Sequence, residues 1–203
     1  MAQIRVLLAE DQAMVRGALA ALLRLEEDLE IVAEVAQGDQ VLPAAMKSHP
    51  DVALLDIEMP GGNGLSAAQA LHHSLPTCRI MILTTFGRSG YLRQAMESGA
   101  VAFLLKDAPA EELAVAIRRV MAGERVVDPE LALSALSEGD NPLTGRERDV
   151  LRASQDGASI ADIAMQLFLS EGTVRNHLST AIQKLGARNR MEATHLAEEK
   201  GWL

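Results

Sequence analysis

The chain has 203 residues but a single cysteine, one tryptophan, one tyrosine and three phenylalanines, and only 19 Lys and Arg against 28 Asp and Glu. Each scarcity excludes something. One thiol, Cys78, forbids an internal disulfide and fits a reducing compartment; the residue itself reads as a small side chain near the start of a strand. Too few aromatics are present to sandwich a flavin. No apolar run approaches the length of a membrane span, and the opening MAQIRVLLAED meets two acids too early for a signal peptide. The chain therefore reads as cytoplasmic, with no membrane insertion. The net charge of −9 argues against a uniformly nucleic-acid-binding surface, because clustered Lys and Arg drive such binding through counterion release.

That charge is unevenly spread. Residues 1–141 hold 11 basic and 20 acidic side chains, whereas residues 142–203 hold 8 of each. All of the acid excess lies in the first part, so the second remains a candidate for DNA binding if its bases gather on one face.

Five short apolar runs, at 4–9, 31–36, 52–55, 79–84 and 101–105, alternate with amphipathic segments in which Val15, Leu19, Leu22 and Leu23, then Leu65, Ala68 and Leu71, then Leu92, Ala95 and Met96, then Leu113, Ile117, Val120 and Met121 recur at helical spacing. Strands alternating with helices imply parallel βαβ units and a doubly wound (βα)5 domain over residues 1–122. The stretch AGERVVDPELALSALSEGDNP loses the alternation and reads as a linker, 123–142, with a short helix over 129–136. From Leu143 the pattern is helical only, each helix opening on a cap: Thr144 with Glu147, Ser159 with Asp162, Ser170, and Asn189 with Glu192. Residues 143–203 thus form a small all-α domain of four helices.

In open parallel sheets, chemistry collects where strands end. There the chain places Glu10-Asp11, Asp56, Thr84 and Lys106. Clustered carboxylates repel unless a divalent cation or Lys106 offsets them, and hard oxygen ligands suit Mg²⁺. A phosphoryl group could share its oxygens among that metal, the Lys106 ammonium and the Thr84 hydroxyl, with Asp56 as nucleophile. A lone acid after a strand is more often a helix cap; five polar groups on one sheet edge are harder to dismiss. After Asp56 the run Gly61-Gly62-Asn63-Gly64 predicts a mobile loop. Lys106-Asp107-Ala108-Pro109 predicts a sharp turn in which Pro109 opens the last helix. Adjacent His72 and His73 point too far apart on a helix to share a metal.

Near the C-terminus, Ile160, Ile163, Ala164, Leu167 and Phe168 make one helical face, the turn LSEG follows, and Val174, Leu178, Ala181, Ile182 and Leu185 make another. Two helices around a tight turn are a helix-turn-helix. The opposite face of the second helix shows Thr173, Arg175, Asn176, Ser179 and Thr180, side chains suited to base edges. Lys184, Arg188 and Arg190, at or beyond its end, suit phosphates. A solvated polar face is the alternative.

Residues 1–122 resemble the receiver domain of two-component response regulators, a flavodoxin-like fold, through Glu10-Asp11, LLDIEMPGGNGL, Thr84 after MIL, and GAVAFLLKDAP. The resemblance implies Asp56 as phosphoacceptor, with Glu10, Asp11, Asp56 and the backbone carbonyl of Glu58 around Mg²⁺. It also implies Thr84 and Lys106 on the phosphoryl oxygens, and Phe103 as either a switch aromatic or plain core. Residues 143–200 resemble the LuxR-type DNA-binding domain through LTGRERDVL, IADIAMQLFLSEGTVRNHL and KLGARNR. Relatives often carry a basic residue where this chain has Ser179. The joined architecture resembles the NarL/FixJ subfamily, and TTFGRSGYLRQAMESGA resembles regulators of the DesR type, linked to membrane-lipid sensing. The resemblance implies a cognate sensor histidine kinase, a homodimer on phosphorylation, and double-stranded DNA with repeated half-sites. Residues such as Met14, Ala18, Ala114 and Met121 are candidates for the dimer face. It implies no enzyme activity beyond phosphorylation and dephosphorylation of Asp56. The rival is a phosphatase or phosphotransferase with an aspartyl-phosphate intermediate, which Asp56-Ile57-Glu58 faintly echoes.

Overall fold

The computed structural model describes all residues except 1–2, 86–88, 107–109, 130, 134–140 and 156. Two compact units result, one built on the sheet and one on the C-terminal helices. The expected turn at Asp107–Pro109 and part of the DesR-like segment lie outside the described residues.

In the first unit, strands β1 (Ile4–Ala9), β2 (Leu29–Val35), β3 (Val52–Leu55), β4 (Arg79–Thr84), β5 (Ala102–Leu105) and β6 (Val126–Val127) form one parallel sheet in the order β2-β1-β3-β4-β5-β6. The five expected strands are present: β1, β3 and β4 have the expected bounds, while β2 starts two residues earlier and ends one earlier and β5 starts one residue later. The sixth was not expected and lies within the stretch read as a linker: Val126 and Val127 pair with Ala102 and Phe103. Beyond it, the expected short helix begins at Pro129, where the Asp128 carboxylate accepts the Leu131 N–H at 3.1 Å; residues 134–136 lie outside the described residues.

Helices α1 (Ala13–Leu23), α2 (Gly38–Ser48), α3 (Gly64–Ser74), α4 (Ser89–Glu97) and α5 (Ala110–Met121) connect the strands. Alternation along the strands sends Val6, Leu8, Val52, Leu54, Met81, Leu83 and Ala102 to one face, where they pack with Ala20, Leu23, Leu113, Ile117 and Val120 of α1 and α5. Leu7, Leu55, Ile80, Ile82 and Phe103 occupy the intervening strand positions and are equally buried. Both faces are therefore apolar, as a covered parallel sheet requires. The helical stripe of α1 needs correction: Leu22 is 41% exposed, and Ala20 fills the core instead.

The second unit holds α6 (Gly145–Ala153), α7 (Ile160–Leu167), α8 (Glu171–Leu185) and α9 (Arg190–Glu199). Thr144 and Ser159 close full capping boxes with Glu147 and Asp162, and Ser170 and Asn189 accept the Thr173 and Glu192 N–H groups. Each cap satisfies helix-end donors that burial would otherwise strand. Val150, Leu151, Ile163, Val174, Leu178 and Ala181 form the core. Phe168 leaves the expected apolar face: it ends α7 in a left-handed conformation (φ 55°) and is 95% exposed.

Candidate functional site

Strand order reverses between β1 and β3, and that crevice is where the carboxyl ends of parallel strands offer a site. β1 runs into Glu10 and Asp11, β3 into Asp56, and β5 into Lys106. The Asp56 N–H donates to the Ala9 carbonyl at 3.0 Å and the Lys106 N–H to the Thr84 carbonyl at 2.8 Å, so sheet register fixes all three edges together.

Side chains converge there as the sequence predicts. Lys106 Nζ stands 2.6 Å from Glu10 Oε2 and 2.9 Å from Asp56 Oδ2, with Glu10 and Asp56 buried. Burial pushes the Glu10 carboxyl above the ordinary glutamate range, and the Lys106 ammonium only partly offsets this. Burial disfavours the charge on Lys106, but hydrogen bonds to Glu10 and Asp56 outweigh it and hold its pKa above the usual lysine value. Glu10, Asp11 and Asp56 each present a carboxylate oxygen within 4.8 Å of the others, with Asp11 exposed to solvent. An all-oxygen set with one open side fits a hard divalent cation. Thr84 is fully buried at the end of β4, and Glu58 points its side chain to solvent. Phe103 is completely buried, in register with Ile82 on one side and Val127 on the other.

The glycines after Asp56 have defined tasks. Gly61 takes φ 72°, open to few other residues. A side chain at Gly64 would place Cβ 1.9 Å from the Asp56 carbonyl oxygen, so α3 can start against β3 only with glycine there. The loop is tied at both ends, Gly38 N–H to the Pro60 carbonyl and Gly64 N–H to the Ile57 carbonyl, each at 2.9 Å. Residues 61–63 lie between these two ties. Gly64→Ala is expected to destabilise this unit by about 1–3 kcal/mol through backbone overpacking, read as a lowered urea midpoint.

Arg16 is a residue that sequence reasoning missed. Its Nη1 donates to the Glu10 carbonyl at 2.6 Å and lies 3.4 Å from the Asp11 carbonyl. The available signal was an arginine about one turn into the helix that follows the acidic pair.

The helix-turn-helix is formed by α7 and α8. Arg175, Asn176, Ser179 and Thr180 lie exposed on α8, opposite Val174, Leu178 and Ala181. Thr173 is half-buried, its hydroxyl 2.9 Å from that of Ser170. Arg175 Nη2 pairs with Glu171 Oε2 at 2.7 Å. Two expected phosphate contacts prove to be engaged inside the domain. Lys184 Nζ pairs with the buried carboxylate of Glu147 at 2.7 Å, and Arg190 Nη1 donates to the Ala158 carbonyl at 2.8 Å. Arg188 stays 85% exposed beside Glu192. Cys78 is buried, its thiol pushed up to about 12, as an inert core residue requires. His72 and His73 are exposed, and among the described residues no helix is long and apolar enough to cross a membrane.

Comparison with known proteins agrees with both halves. Residues 6–118 match the response regulator receiver domain, and residues 141–197 match the bacterial regulatory proteins of the luxR family. The transcriptional regulatory proteins YvfU and DesR of Bacillus subtilis are 46% and 47% identical to this chain. Those alignments cover 98% of this chain and 100% and 98% of the relatives. Among solved structures, the response regulator ChrA of a heme-sensing two-component system is 33% identical, with TM-score 0.59 and full coverage of both chains. RcsB of Salmonella typhimurium shares the fold at TM-score 0.73 and 23% identity, covering 98% of this chain and 99% of that one. With a flavodoxin-like receiver and a LuxR-type helix-turn-helix in one chain, and relatives aligned from end to end, the protein belongs to the DNA-binding transcriptional response regulators of two-component systems.

Proposed function

We propose that Asp56 accepts a phosphoryl group from the phosphohistidine of a cognate sensor kinase, and that the acyl phosphate switches the protein to a DNA-binding homodimer. The observation that carries this reading is the buried Glu10–Lys106–Asp56 cluster at the sheet's switch point. An Asp56 oxygen attacks phosphorus, the phosphorus–nitrogen bond breaks, and the imidazole leaves with the electron pair. Lys106 lies 2.9 Å from Asp56 and would neutralise charge on the incoming oxygens, and we assign the Thr84 hydroxyl to one of them. Glu10, Asp11, Asp56 and the Glu58 carbonyl would hold Mg²⁺, which supplies charge neutralisation at the phosphoryl oxygens when bound. Phe103, already inside the core, would sense a Thr84 shift through packing rather than by swinging in from solvent. Catalysis is limited to gain and loss of this phosphoryl group, and the cytoplasm is where kinase and DNA would both be met.

For the output, we assign residues 1–122 to the receiver, 123–142 to the linker apart from Val126–Val127, and 143–203 to DNA binding. Charge in the last segment is balanced, so one copy should bind a half-site weakly and two copies on repeated half-sites should gain by effective concentration. We assign the dimer surface to α1 and α5 of the receiver: Met14 is 87% exposed, Leu25 78%, Val115 51% and Met121 38%, and Leu19, Leu22, Leu25 and Leu113 line a groove; Ala18 is exposed but Ala114 is buried. Arg175 and Asn176 are assigned to base edges, with Thr173 and Ser179 at their flanks and Arg188 on phosphate. Lys184 and Arg190, used inside the domain, support the helix instead. Arg175→Ala is expected to weaken binding at a preferred site by about 1–3 kcal/mol while leaving random DNA nearly unaffected. Fluorescence anisotropy on both DNAs checks this, and an equal loss on the two would make Arg175 a phosphate contact.

A further inference from the structure

We propose that Arg16 is a positioning residue for the metal-binding carboxylates, acting through the backbone that carries them. The inference rests on the reading of Glu10, Asp11 and Asp56 as a divalent-cation site. Only three residues, Glu10, Asp11 and Gln12, bridge the end of β1 and the start of α1. Their conformation decides where two of the three carboxylates point. Three hydrogen bonds fix that bridge from its own chain: the Glu10 N–H to the Val35 carbonyl at 3.1 Å, the Gln12 N–H to Glu10 Oε1 at 3.2 Å, and the Arg16 N–H to the Gln12 carbonyl at 2.9 Å. The carbonyls of Glu10 and Asp11 need a donor from elsewhere, and Arg16 Nη1 reaches both, closely at 2.6 Å and loosely at 3.4 Å.

Among the described residues Arg16 makes no ion pair with a carboxylate, so its charge is spent on these two carbonyl dipoles. The guanidinium brings one terminal nitrogen, Nη1, with its two N–H groups against both carbonyls from a planar head, a reach and shape that the shorter lysine side chain does not reproduce. Gripping successive carbonyls restrains the backbone torsions on either side of Asp11, which in turn aims the exposed Asp11 carboxylate toward buried Asp56. Removing such outer support from a metal site typically costs 10- to 100-fold in affinity.

Mg²⁺ titration of the full-length protein by calorimetry, beside thermal unfolding in its absence, tests this. Arg16→Ala is expected to raise the Mg²⁺ dissociation constant at least about tenfold. Phosphorylation by acetyl phosphate should then require correspondingly more Mg²⁺ and recover when Mg²⁺ saturates. Arg16→Lys, which keeps the charge and N–H donors on a shorter side chain without the planar head, should fall between Arg16→Ala and the parent. An unchanged Mg²⁺ affinity in both variants, with or without a lower unfolding temperature, overturns the proposal and leaves Arg16 a structural residue. Should Arg16→Ala not fold, Arg16→Lys decides alone: parental affinity refutes the role and weaker affinity supports it. A parent protein that binds no Mg²⁺ refutes instead the metal-site reading on which the proposal stands.

Discussion

Replacing Asp56 by asparagine is expected to abolish phosphoryl uptake altogether, from a sensor kinase or from acetyl phosphate, with the fold intact. The two side chains are nearly isosteric, and an asparagine amide can still accept from Lys106. Its oxygen is not an anionic nucleophile, however, and forms no acyl phosphate. Radiolabel incorporation under acidic quench should fall to background. Because Asp56 is buried against Lys106 at 2.9 Å, losing the negative charge also relieves its repulsion with Glu10. The variant should therefore be no less stable than the parent, which separates loss of chemistry from loss of structure. Retained label on Asp56→Asn would move the phosphoacceptor elsewhere, and turnover of a small phosphate ester by the parent would favour the phosphatase alternative.

The second large effect lies in the DNA-binding unit. Lys184→Met is expected to destabilise it by about 2–4 kcal/mol, because the Glu147 carboxylate would be left buried and without its cation. The figure is set below that of a fully buried pair because Lys184 is 31% exposed. Glu147→Gln should cost less, since it leaves Lys184 a path to water and keeps an oxygen for the Thr144 N–H. The order of the two variants is itself the test. Burial alone would raise Glu147, but the Lys184 ammonium and the Thr144 donors outweigh it and hold the carboxyl below the usual glutamate range. The parent therefore has this stabilisation above the unfolded carboxylate range and loses it as pH falls through the lowered folded value. In Lys184→Met burial dominates, so its deficit should narrow in mild acid. Trp202, the sole tryptophan, packs against this core, and its fluorescence during urea unfolding reports the unit selectively.

These cases show which parts of the molecule were legible in the sequence. Apolar runs located β1, β3, β4 and β5 because strands buried on both faces read as continuous hydrophobic stretches, and β2, a half-buried edge strand, was located by its run at 31–36. The site was legible for the same reason: Glu10-Asp11, Asp56 and Lys106 follow such runs, and Thr84 closes one. Capping residues located α6 to α9, since each cap is a local event between positions three apart. What stayed hidden depends on distant partners. β6 is two valines long, too short for periodicity, and exists because β5 presents an edge to Val126 and Val127. α2 escaped a periodic reading because only Val41 and Ala45 of its side chains are buried and Pro43 interrupts it. Lys184 and Arg190 look like free cations in sequence; their engagement depends on Glu147, 37 residues away, and Ala158, 32 residues away. Phe168 looked like core at helical spacing, but the left-handed residue that ends α7 turns the chain off that face.

The coupling of the two units is the central claim, and one measurement on the full-length protein addresses it. Sedimentation equilibrium with Mg²⁺, before and after acetyl phosphate, is paired with anisotropy on DNA carrying two half-sites. The account predicts that phosphorylation converts monomer to dimer and tightens DNA binding in the parent, and does neither in Asp56→Asn. A protein that carries phosphate on Asp56 yet keeps its monomer mass and its unphosphorylated DNA affinity would contradict it.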